Sequence, residues 1–511
     1  MYFSPPANPA RTGRNFVPWP GWLGMGLLLT MAPAEPLREV TLNHRVPTPA
    51  VAKLRARLAP FLHQEFTPAL AEAITDVILQ HYQVHDFPVV QVSLMEGAFA
   101  RGELQVDVVE GRVEEVRSSG GAHLAVVPVR LHPGSVITAT ALQRELDWLN
   151  RNPFREATLA ATPGTTPDLA KLDFASSDRW PVAVWSTYSN DGVHPLGGDR
   201  WLAGVSLGDF LKWDHTLTVQ GQMADDSALY HALLGEWRLR LPWRHELSLS
   251  AASVETSAPV NDGLGVDSTA WFATARYRIP WRSSLEWNGE HWLGVDMKHF
   301  STDVIFGGTS DVVQPLTMTT LTAGSKAVCV RGRDTLELAT EAVWSPGELW
   351  GASNDEEFAA VSSGAAAAFF YLRAQATWQH SWRNRWSLHS QIAGQWADGE
   401  LLSSEAFYLT GANAVRGYEE RSILGSKGVR ASLEMRSAPV LVRPLQLQAQ
   451  AVCFVDAGHT WTAQELTANP VALGTGVRAV VGRNFQLRAE VAWPLTAGLD
   501  PRLHLQMSLT F

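Results

Sequence analysis

The chain has 511 residues, of which 46% are apolar and only 18% charged, with a formal net charge of −10. The charged fraction lies below the roughly 25% of ordinary soluble domains. The acidic balance argues against nucleic-acid binding. Two isolated cysteines, Cys329 and Cys453, cannot form a disulfide scaffold, and the 16 histidines show no metal-ligand spacing. We therefore expect neither a metal nor a cofactor.

Residues 1–34 are typical of a secretory signal peptide. Arg11 and Arg14 precede an apolar run, and Ala32-Pro33-Ala34 has the A-x-A pattern of a cleavage site. An uncleaved anchor helix is the alternative, although prolines and a glycine interrupt the run. Both interpretations predict export from the cytoplasm, and removal of the segment makes the net charge more negative.

Residues 35–178 predict two small α+β modules, with a first module at 35–111 and a second at 112–178. In the first module a strand precedes two helices, and the second helix begins at Thr67-Pro68, a threonine cap with proline at the first helical position. Two strands follow, giving the order β-α-α-β-β. The second module repeats a shorter version, with a helix over 140–150 that Thr140 is expected to cap.

Residues 179–511 predict a sheet protein of long alternating strands. In Leu445 to Asp456, for example, apolar residues alternate with Gln446, Gln448 and Gln450. Alternation over about nine or more residues is typical of transmembrane β-strands, whose sheet has to close into a barrel because lipid cannot satisfy a free edge. Eighteen of the 21 tryptophans lie in this part of the chain, many beside presumed turns, as in interfacial girdles. At about ten residues per strand, the segment allows on the order of 16 strands.

The stretch that includes VRGY, at 415–418, followed by FVDAG at 454–458, carries the clearest functional signal. With the alternating strands around it, this part resembles the two-partner-secretion transporters (TpsB, the haemolysin secretion/activation family) of the BamA-like superfamily. Segments of the first module and the stretch WSPGELWGASND also resemble the family. The resemblance implies a 16-stranded outer-membrane barrel preceded by two periplasmic POTRA domains. It further implies that the protein exports one large partner exoprotein.

By that resemblance, the VRGY tip belongs to an extracellular loop that folds back into the barrel and docks on the strand carrying FVDAG. Alternation independently places Asp456 on the inward face, where a guanidinium can bind its carboxylate in a bidentate manner. We therefore expect an Arg416–Asp456 contact inside the barrel. The predicted loop–barrel lock comprises Val415, Arg416, Gly417, Tyr418, Phe454, Asp456 and Gly458.

The resemblance also suggests sites for partners. The first POTRA domain is expected to bind the unfolded exoprotein, which carries an N-terminal secretion domain, at exposed strand edges. Phe511, an apolar aromatic residue ending the last strand, is expected to be the signal for the barrel assembly machinery, and outer-membrane lipid and lipopolysaccharide are expected to surround the barrel. The residues proposed for exoprotein binding are Pro68, Val89, Leu94, Leu104 and Val109.

Three alternatives stay open at this point. A BamA- or TamA-like assembly factor shares the VRGY loop but commonly carries more than two POTRA domains. A passive porin would not need such domains, and an enzyme needs a convergent polar triad; the GVSLG match at 204–208 lies within a strand pattern, where a nucleophile elbow does not form. Because little chain separates Ala34 from the first strand, a pore-plugging N-terminal helix is not expected unless residues 1–34 are retained.

Overall fold

A computed structural model gives the architecture of the chain, which divides into two compact units that meet between Arg179 and Trp180. The predicted signal peptide and the question of a plug helix lie outside the described residues. No helix in the described part of the chain is both long and apolar enough to cross a membrane. The structure describes residues 35–44, 49–94, 98–119, 129–208, 213–261, 264–306, 309–461, 468–496 and 498–511.

The first unit contains two sheets, each covered by helices. The first sheet is built around β4 (Glu103–Glu110), which pairs in parallel with β1 (Glu39–His44) and antiparallel with β2 (Val90–Ser93) and the short β3 (Phe99–Ala100). Helix α2 (Pro68–Val84) is capped by the Thr67 hydroxyl, which accepts a hydrogen bond from Leu70 N (3.1 Å). Helix α1 (Val51–Leu58) precedes α2.

The second sheet has β7 (Leu169–Asp178) in the centre, between β5 (Arg112–Ser119) and β6 (Arg155–Pro163). Helix α3 (Ala139–Leu149) packs its apolar face on this sheet and begins one residue earlier than expected. The predicted cap was wrong: Thr138 caps the helix, because its hydroxyl accepts from Ala141 N (3.1 Å).

Thr140 instead joins the two sheets of this unit. Its backbone N–H and its hydroxyl both donate to Asp86 Oδ1, at 2.6 and 2.8 Å, and Ala139 N donates to Asp86 O (2.8 Å). Asp86 follows α2, so a carboxylate of the first module satisfies a free N–H at the start of the second module's helix. Val89 continues this joint, because its side chain packs in the apolar core of the second module.

The second unit is a closed antiparallel barrel of sixteen strands, as predicted, and the last strand pairs with the first. A three-residue strand, β22, adds a pairing at one rim. The barrel strands are β8 (Val182–Ser189), β9 (Arg200–Gly208), β10 (His215–Met223), β11 (Tyr230–Arg240), β12 (Glu246–Asn261), β13 (Leu264–Arg282), β14 (Trp287–Phe306), β15 (Thr309–Arg331), β16 (Asp334–Pro346), β17 (Ala368–Ser381), β18 (Ser387–Ala397), β21 (Lys427–Arg436), β23 (Leu447–Trp461), β24 (Val471–Val481), β25 (Phe485–Pro494) and β26 (Arg502–Thr510). Strands β19 (Phe407–Tyr408), β20 (Leu424–Gly425) and β22 (Val440–Val442) are short.

Exposed tryptophans form two groups along the barrel wall. One group lies at the end where the chain enters at Val182, and the other lies at the opposite end, called here the far end. This is the distribution of two interfacial aromatic girdles, and it follows from the positions of tryptophans beside the turns. The entry-end group includes Trp213, Trp243, Trp378, Trp382 and Trp386, and the far-end group includes Trp201, Trp344, Trp396, Trp461 and Trp493.

The segments that alternate in the sequence do form strands, but some of these strands begin or end at other residues than predicted. The strand predicted from Leu445 begins at Leu447, because Gln446 adopts a left-handed conformation (φ 47°) after a short 3-10 turn. Gln446 therefore does not share the inward register of Gln448 and Gln450. The register of Asp456 is unaffected, since it lies well inside β23.

Two long connections leave the barrel wall at the far end. The first, residues 347–367, carries helix α4 (Asp355–Val361) between β16 and β17. The second, residues 398–426, carries β19 and β20 between β18 and β21. The second connection contains VRGY and is called here the VRGY loop.

The Asp86 joint leads to a prediction for the first unit. Replacement of Asp86 by Ala leaves the Thr140 N–H and hydroxyl without their acceptor, while the Ala139 N–H keeps its bond to the backbone carbonyl; the loss costs on the order of 1–2 kcal/mol. We expect faster hydrogen exchange at the start of α3 in Asp86→Ala, measured by mass spectrometry of the full chain. Thr140→Val removes only the hydroxyl and should give a smaller change; unchanged exchange at Ala139–Leu142 in Asp86→Ala would contradict the role of this carboxylate.

Candidate functional site: an arginine bound inside the barrel

The tip of the VRGY loop is buried inside the barrel. Val415 is fully buried and Arg416 is 3% exposed, although both belong to a loop of about thirty residues. A free surface loop would leave such an arginine solvated. The loop therefore returns into the lumen, and Arg416 contacts side chains of the barrel wall.

Two N–H groups of the Arg416 guanidinium bind the two carboxylate oxygens of Asp456. Arg416 Nε donates to Asp456 Oδ2 (2.7 Å), and Arg416 Nη2 donates to Asp456 Oδ1 (2.8 Å). The backbone N of Arg416 also donates to Oδ2 (3.2 Å). This bidentate, charge-assisted geometry is specific to arginine, because lysine has no planar fork.

Two glutamates on other strands of the barrel wall bind the same guanidinium. Arg416 Nη1 donates to Glu434 Oε2 on β21 (3.0 Å) and to Glu490 Oε2 on β25 (2.9 Å). The guanidinium carbon lies 3.2 Å from the ring centroid of Phe454, so the cation also contacts an aromatic face. One loop residue thereby connects β21, β23 and β25.

The three carboxylates are not equally dependent on Arg416. Glu434 also accepts from Arg436 (2.6 Å) and Arg478 (2.8 Å), whereas Glu490 accepts from Arg478 (3.1 Å) and Arg488 (2.8 Å). Among the described residues, Asp456 otherwise accepts only from the Ser432 hydroxyl (2.7 Å). Release of Arg416 leaves the two glutamates paired and deprives Asp456 of its cation.

The residues on either side of Arg416 fix the turn. Gly417 has a φ of 89°, which disfavours a side chain, and its N–H donates to His504 Nε2 (3.0 Å). The Tyr418 hydroxyl contacts the backbone of Val471 and the Thr496 hydroxyl, each at 2.9 Å. These contacts position the tip against β24 and β26.

Two barrel glycines make room for this arrangement. A Cβ on Gly458 would collide with Leu409 and crowd Val415, both in the VRGY loop. A Cβ on Gly474 would overlap the Phe454 ring that lies under the guanidinium. The predicted residues of the loop–barrel lock are therefore all found at one place, and Gly474 is an addition to them.

Sequence reasoning did not single out the other charged partners. Glu434, Glu490, Arg478, Arg488 and His504 line the same region. Their signal was their inward register in β21, β24, β25 and β26. Alternation gives the face of a residue, but only the pairing register shows which inward residues are neighbours.

The residues proposed for exoprotein binding lie apart from one another. Strand β2, adjoining Val89 and Leu94, is an edge strand that pairs only with β4 in the described part of the chain. Leu104 and Val109 belong to β4, which is the central strand, so their backbone is not a free edge and that assignment was wrong. Leu104 lies fully buried in the first module's core.

Val89 is also unsuited to direct contact with a partner, because it is buried in the second module's core. Pro68 is exposed at the start of α2, and Leu94 is half-buried at the end of β2. Of the predicted exoprotein-binding surface, the part that is still accessible is the free edge of β2 beside α2.

Phe511 lies at the seam of the barrel. Its backbone exchanges two hydrogen bonds with Val184, with N···O distances of 2.8 and 3.2 Å, and its ring is exposed. An exposed ring at the entry end is accessible to another protein, and its role as an assembly signal stays a prediction.

Two other kinds of site can be compared with the described residues: a metal cluster and the nucleophile elbow of the GVSLG match. No group of three His, Cys, Asp or Glu side chains among them is placed to bind a metal ion. Ser206 of the GVSLG match lies within β9, with its hydroxyl 3.1 Å from that of Thr218 on the next strand. This is a pair of strand hydroxyls without the strand-to-helix turn of a nucleophile elbow.

The barrel, the modules before it and the inserted arginine loop together define the class of outer-membrane transporters with periplasmic POTRA domains. The entry end of the barrel is therefore periplasmic and the far end is extracellular. Residues 171–479, more than half of the chain, match the model of the family described as haemolysin secretion/activation protein ShlB/FhaC/HecB. The chain belongs to this family of two-partner-secretion transporters.

Individual relatives agree with the family. The chain is 23% identical over 470 residues to the outer membrane transporter CdiB of Escherichia coli, covering 86% of this chain and 75% of that protein. The solved structure of CdiB from Escherichia coli has a TM-score of 0.75 at 16% identity, covering 98% and 94% of the two chains. BamA from Haemophilus ducreyi lacking POTRA domains 1–3 has a TM-score of 0.51 at 14% identity, covering 93% of this chain and all of that one. At these identities the structural matches show the fold.

Gly474 leads to a prediction about the lock. Gly474→Ala adds a Cβ where the Phe454 ring lies, so it should displace the ring from beneath Arg416 at a cost of about 1–3 kcal/mol. In heat-modifiability gels, we expect the folded band of Gly474→Ala to disappear at a lower temperature than the folded band of the parent protein. Gly235→Ala is the matched control, since its Cβ meets no atom within 4 Å; equal melting of the two variants would contradict the packing role.

Proposed function

We propose that this transporter binds one unfolded partner exoprotein at its periplasmic POTRA domains and exports it through the barrel lumen. The observation that carries the proposal is the VRGY loop, which occupies the lumen and is held there by the contacts of Arg416. Ion pairs can exchange partners with water and with a passing chain. The loop is thus a removable occupant of the pore.

The charge balance of the wall supports reversible release. Without Arg416 the region still holds three arginines, Arg436, Arg478 and Arg488, against the three carboxylates of Glu434, Glu490 and Asp456, so its positive and negative charges are then equal in number. Breaking a buried pair is costly mainly because it leaves an unpaired charge. Here water entering the vacated lumen hydrates the one carboxylate that loses its partner.

The free edge of β2 supports capture of an extended chain. An unfolded segment can pair with β2 through backbone hydrogen bonds, which need no particular side chains, and α2 contacts the same strand. Pro68 is the first residue of α2, and Leu94 directly follows β2. The residue boundaries 35–111 and 112–178 for the two POTRA domains are part of the proposal.

Export by this route requires no bond-making chemistry, and we assign no catalytic residues. Folding of the exoprotein outside the cell supplies the direction of transport. The other partners in the proposal are outer-membrane lipid and lipopolysaccharide around the barrel, and the barrel assembly machinery acting on Phe511.

Arg416 variants test the lock. Arg416→Ala should lower secretion of the exoprotein at least about tenfold while the folded barrel still reaches the membrane, because the wall keeps its other ion pairs. Arg416→Lys keeps the charge without the fork and should give an intermediate value. Exoprotein in the medium and heat-modifiable barrel in the membrane are measured by immunoblot.

Two controls accompany these variants. Arg421→Ala removes an exposed arginine of the same loop and should leave secretion unchanged. The double variant Arg416→Ala/Asp456→Asn removes the orphaned carboxylate, so it should restore barrel stability without restoring secretion. Normal secretion by Arg416→Ala would exclude the proposed role of the lock.

Deletion of the gene tests the function itself. We expect a single large exoprotein to disappear from the medium, while the outer-membrane proteins keep their normal amounts in quantitative proteomics. A general loss of outer-membrane barrels would instead favour a BamA- or TamA-like assembly factor, and the secretion proposal would be withdrawn.

A further inference from the structure

Helix α4 lies against an apolar patch on the inner face of the barrel. Trp344 on β16 is exposed on the outer face, so its neighbour Val343 points to the lumen, where it is buried. A lumenal wall is normally polar. The patch consists of Leu316, Met318, Val343, Phe369 and Tyr371.

Phe358 of α4 covers this patch. Its side chain is 1% exposed, and its ring centroid lies 6.5 Å from that of Phe369. Burial of a phenylalanine by apolar wall residues explains why apolar side chains point to the lumen at this place. The connection 347–367, here called the α4 loop, therefore also returns into the barrel.

The α4 loop has a defined conformation. Asn354 and Glu357 form a capping box, with N···O distances of 2.9 and 3.0 Å, and the Asp355 carboxylate accepts from Ala367 N (2.8 Å). Ser353 N donates to Thr317 O on β15 (2.8 Å), and Thr317 N donates to the Ser353 hydroxyl (3.1 Å). Both ends of the helix are thus fixed to the wall or to the returning chain.

The α4 loop and the VRGY loop contact each other directly. Leu401 and Leu402 of the VRGY loop belong to the same apolar cluster as Phe358. Ala365 and Glu400 form an isolated parallel β-bridge between the two loops. The loops therefore share backbone pairing and an apolar core.

The base of the VRGY loop is bound to the wall beneath this cluster. The buried Glu405 carboxylate pairs with Lys298 on β14 and accepts from the Tyr371 hydroxyl (2.7 Å). Its backbone carbonyl accepts from Arg373 Nη2 (2.9 Å) and Gln395 Nε2 (3.0 Å). Tyr371 thus belongs both to the apolar patch and to the anchor of the VRGY loop.

We propose that the α4 loop and the VRGY loop form one two-part lid that closes the extracellular end of the pore and leaves it as a unit. Phe358 holds one side of the lid on the wall formed by β15 to β17, and Arg416 holds the other side on β21 to β25. Loss of either attachment weakens the other, because the loops are joined at Ala365–Glu400 and at Leu401 and Leu402.

Conductance of the purified full-length protein in planar lipid bilayers tests the lid without requiring export. Phe358→Asp places a charge in the apolar patch and should raise the fraction of time in a conducting state at least about tenfold. Val361→Asp is the matched control, because Val361 is on the same helix and 50% exposed. Equal conductance of Phe358→Asp, Val361→Asp and the parent protein would overturn the proposal.

The coupling between the two loops has its own test. In a shared lid, Phe358→Asp/Arg416→Ala should conduct about as much as the more open single variant, because one release already frees both parts. An increase equal to the product of the two single effects would show independent loops and overturn the coupling.

A cross-link gives a readout that does not depend on how well Phe358→Asp folds. Cysteines at Ala365 and Glu400, with Cys329 and Cys453 replaced by serine, can form a disulfide between the loops. This test rests on the proposed function. If the lid moves as a unit, secretion should be normal in the oxidised form. Secretion that stops on oxidation and returns on reduction would overturn it, whereas secretion absent in both redox states and in the uncross-linked parent would count against the proposed function instead.

Discussion

The pairing of the Arg416 guanidinium with Asp456 is the interaction on which the rest of the site depends. A guanidinium cannot be neutralised at any ordinary pH, so a buried arginine needs carboxylates at the right distance and in the right plane. The fork holds the loop tip against the wall through two hydrogen bonds of 2.7 and 2.8 Å to one carboxylate. The glycines follow from that requirement: Gly417 allows the turn and Gly474 allows the Phe454 ring to lie beneath the cation.

The position of the charges also explains how a tightly held loop can be removable. Glu434 and Glu490 keep cationic partners of their own, so the loop adds a contact to a network that is already paired. Asp456 provides the specific attraction, because it has no other cation in the described part of the chain. A site in which every carboxylate depended on Arg416 would hold the loop more strongly, but its release would leave three charges unpaired in the barrel wall.

Much of this fold could be predicted from the sequence, and the failures have physical causes. Alternation revealed the barrel and the inward register of Asp456, because lipid and water on opposite faces impose a strict period of two. It did not reveal Glu434 and Glu490 as partners, because neighbours across strands depend on register. Leu104 and Val109 were wrongly placed at an edge. Their strand, the last of the β-α-α-β-β module, is central because it pairs in parallel with the first strand, and the sequence pattern did not reveal that pairing. The apolar lumenal patch was missed because a lumen was assumed to be polar throughout.

The two attachments of the proposed lid differ in kind, and this difference suits a pore that has to open for a polypeptide. The Arg416 contacts are directional and lose strength as soon as water enters, so they hold the closed geometry and fail over a short displacement. The Phe358 contact is non-directional and depends only on buried area, so it tolerates small movements and lets the lid return without exact alignment. An ionic attachment alone would be sensitive to salt and hydration, and an apolar attachment alone would not define one orientation. Their connection through Ala365 and Glu400 gives a single closed state that is both specific and recoverable.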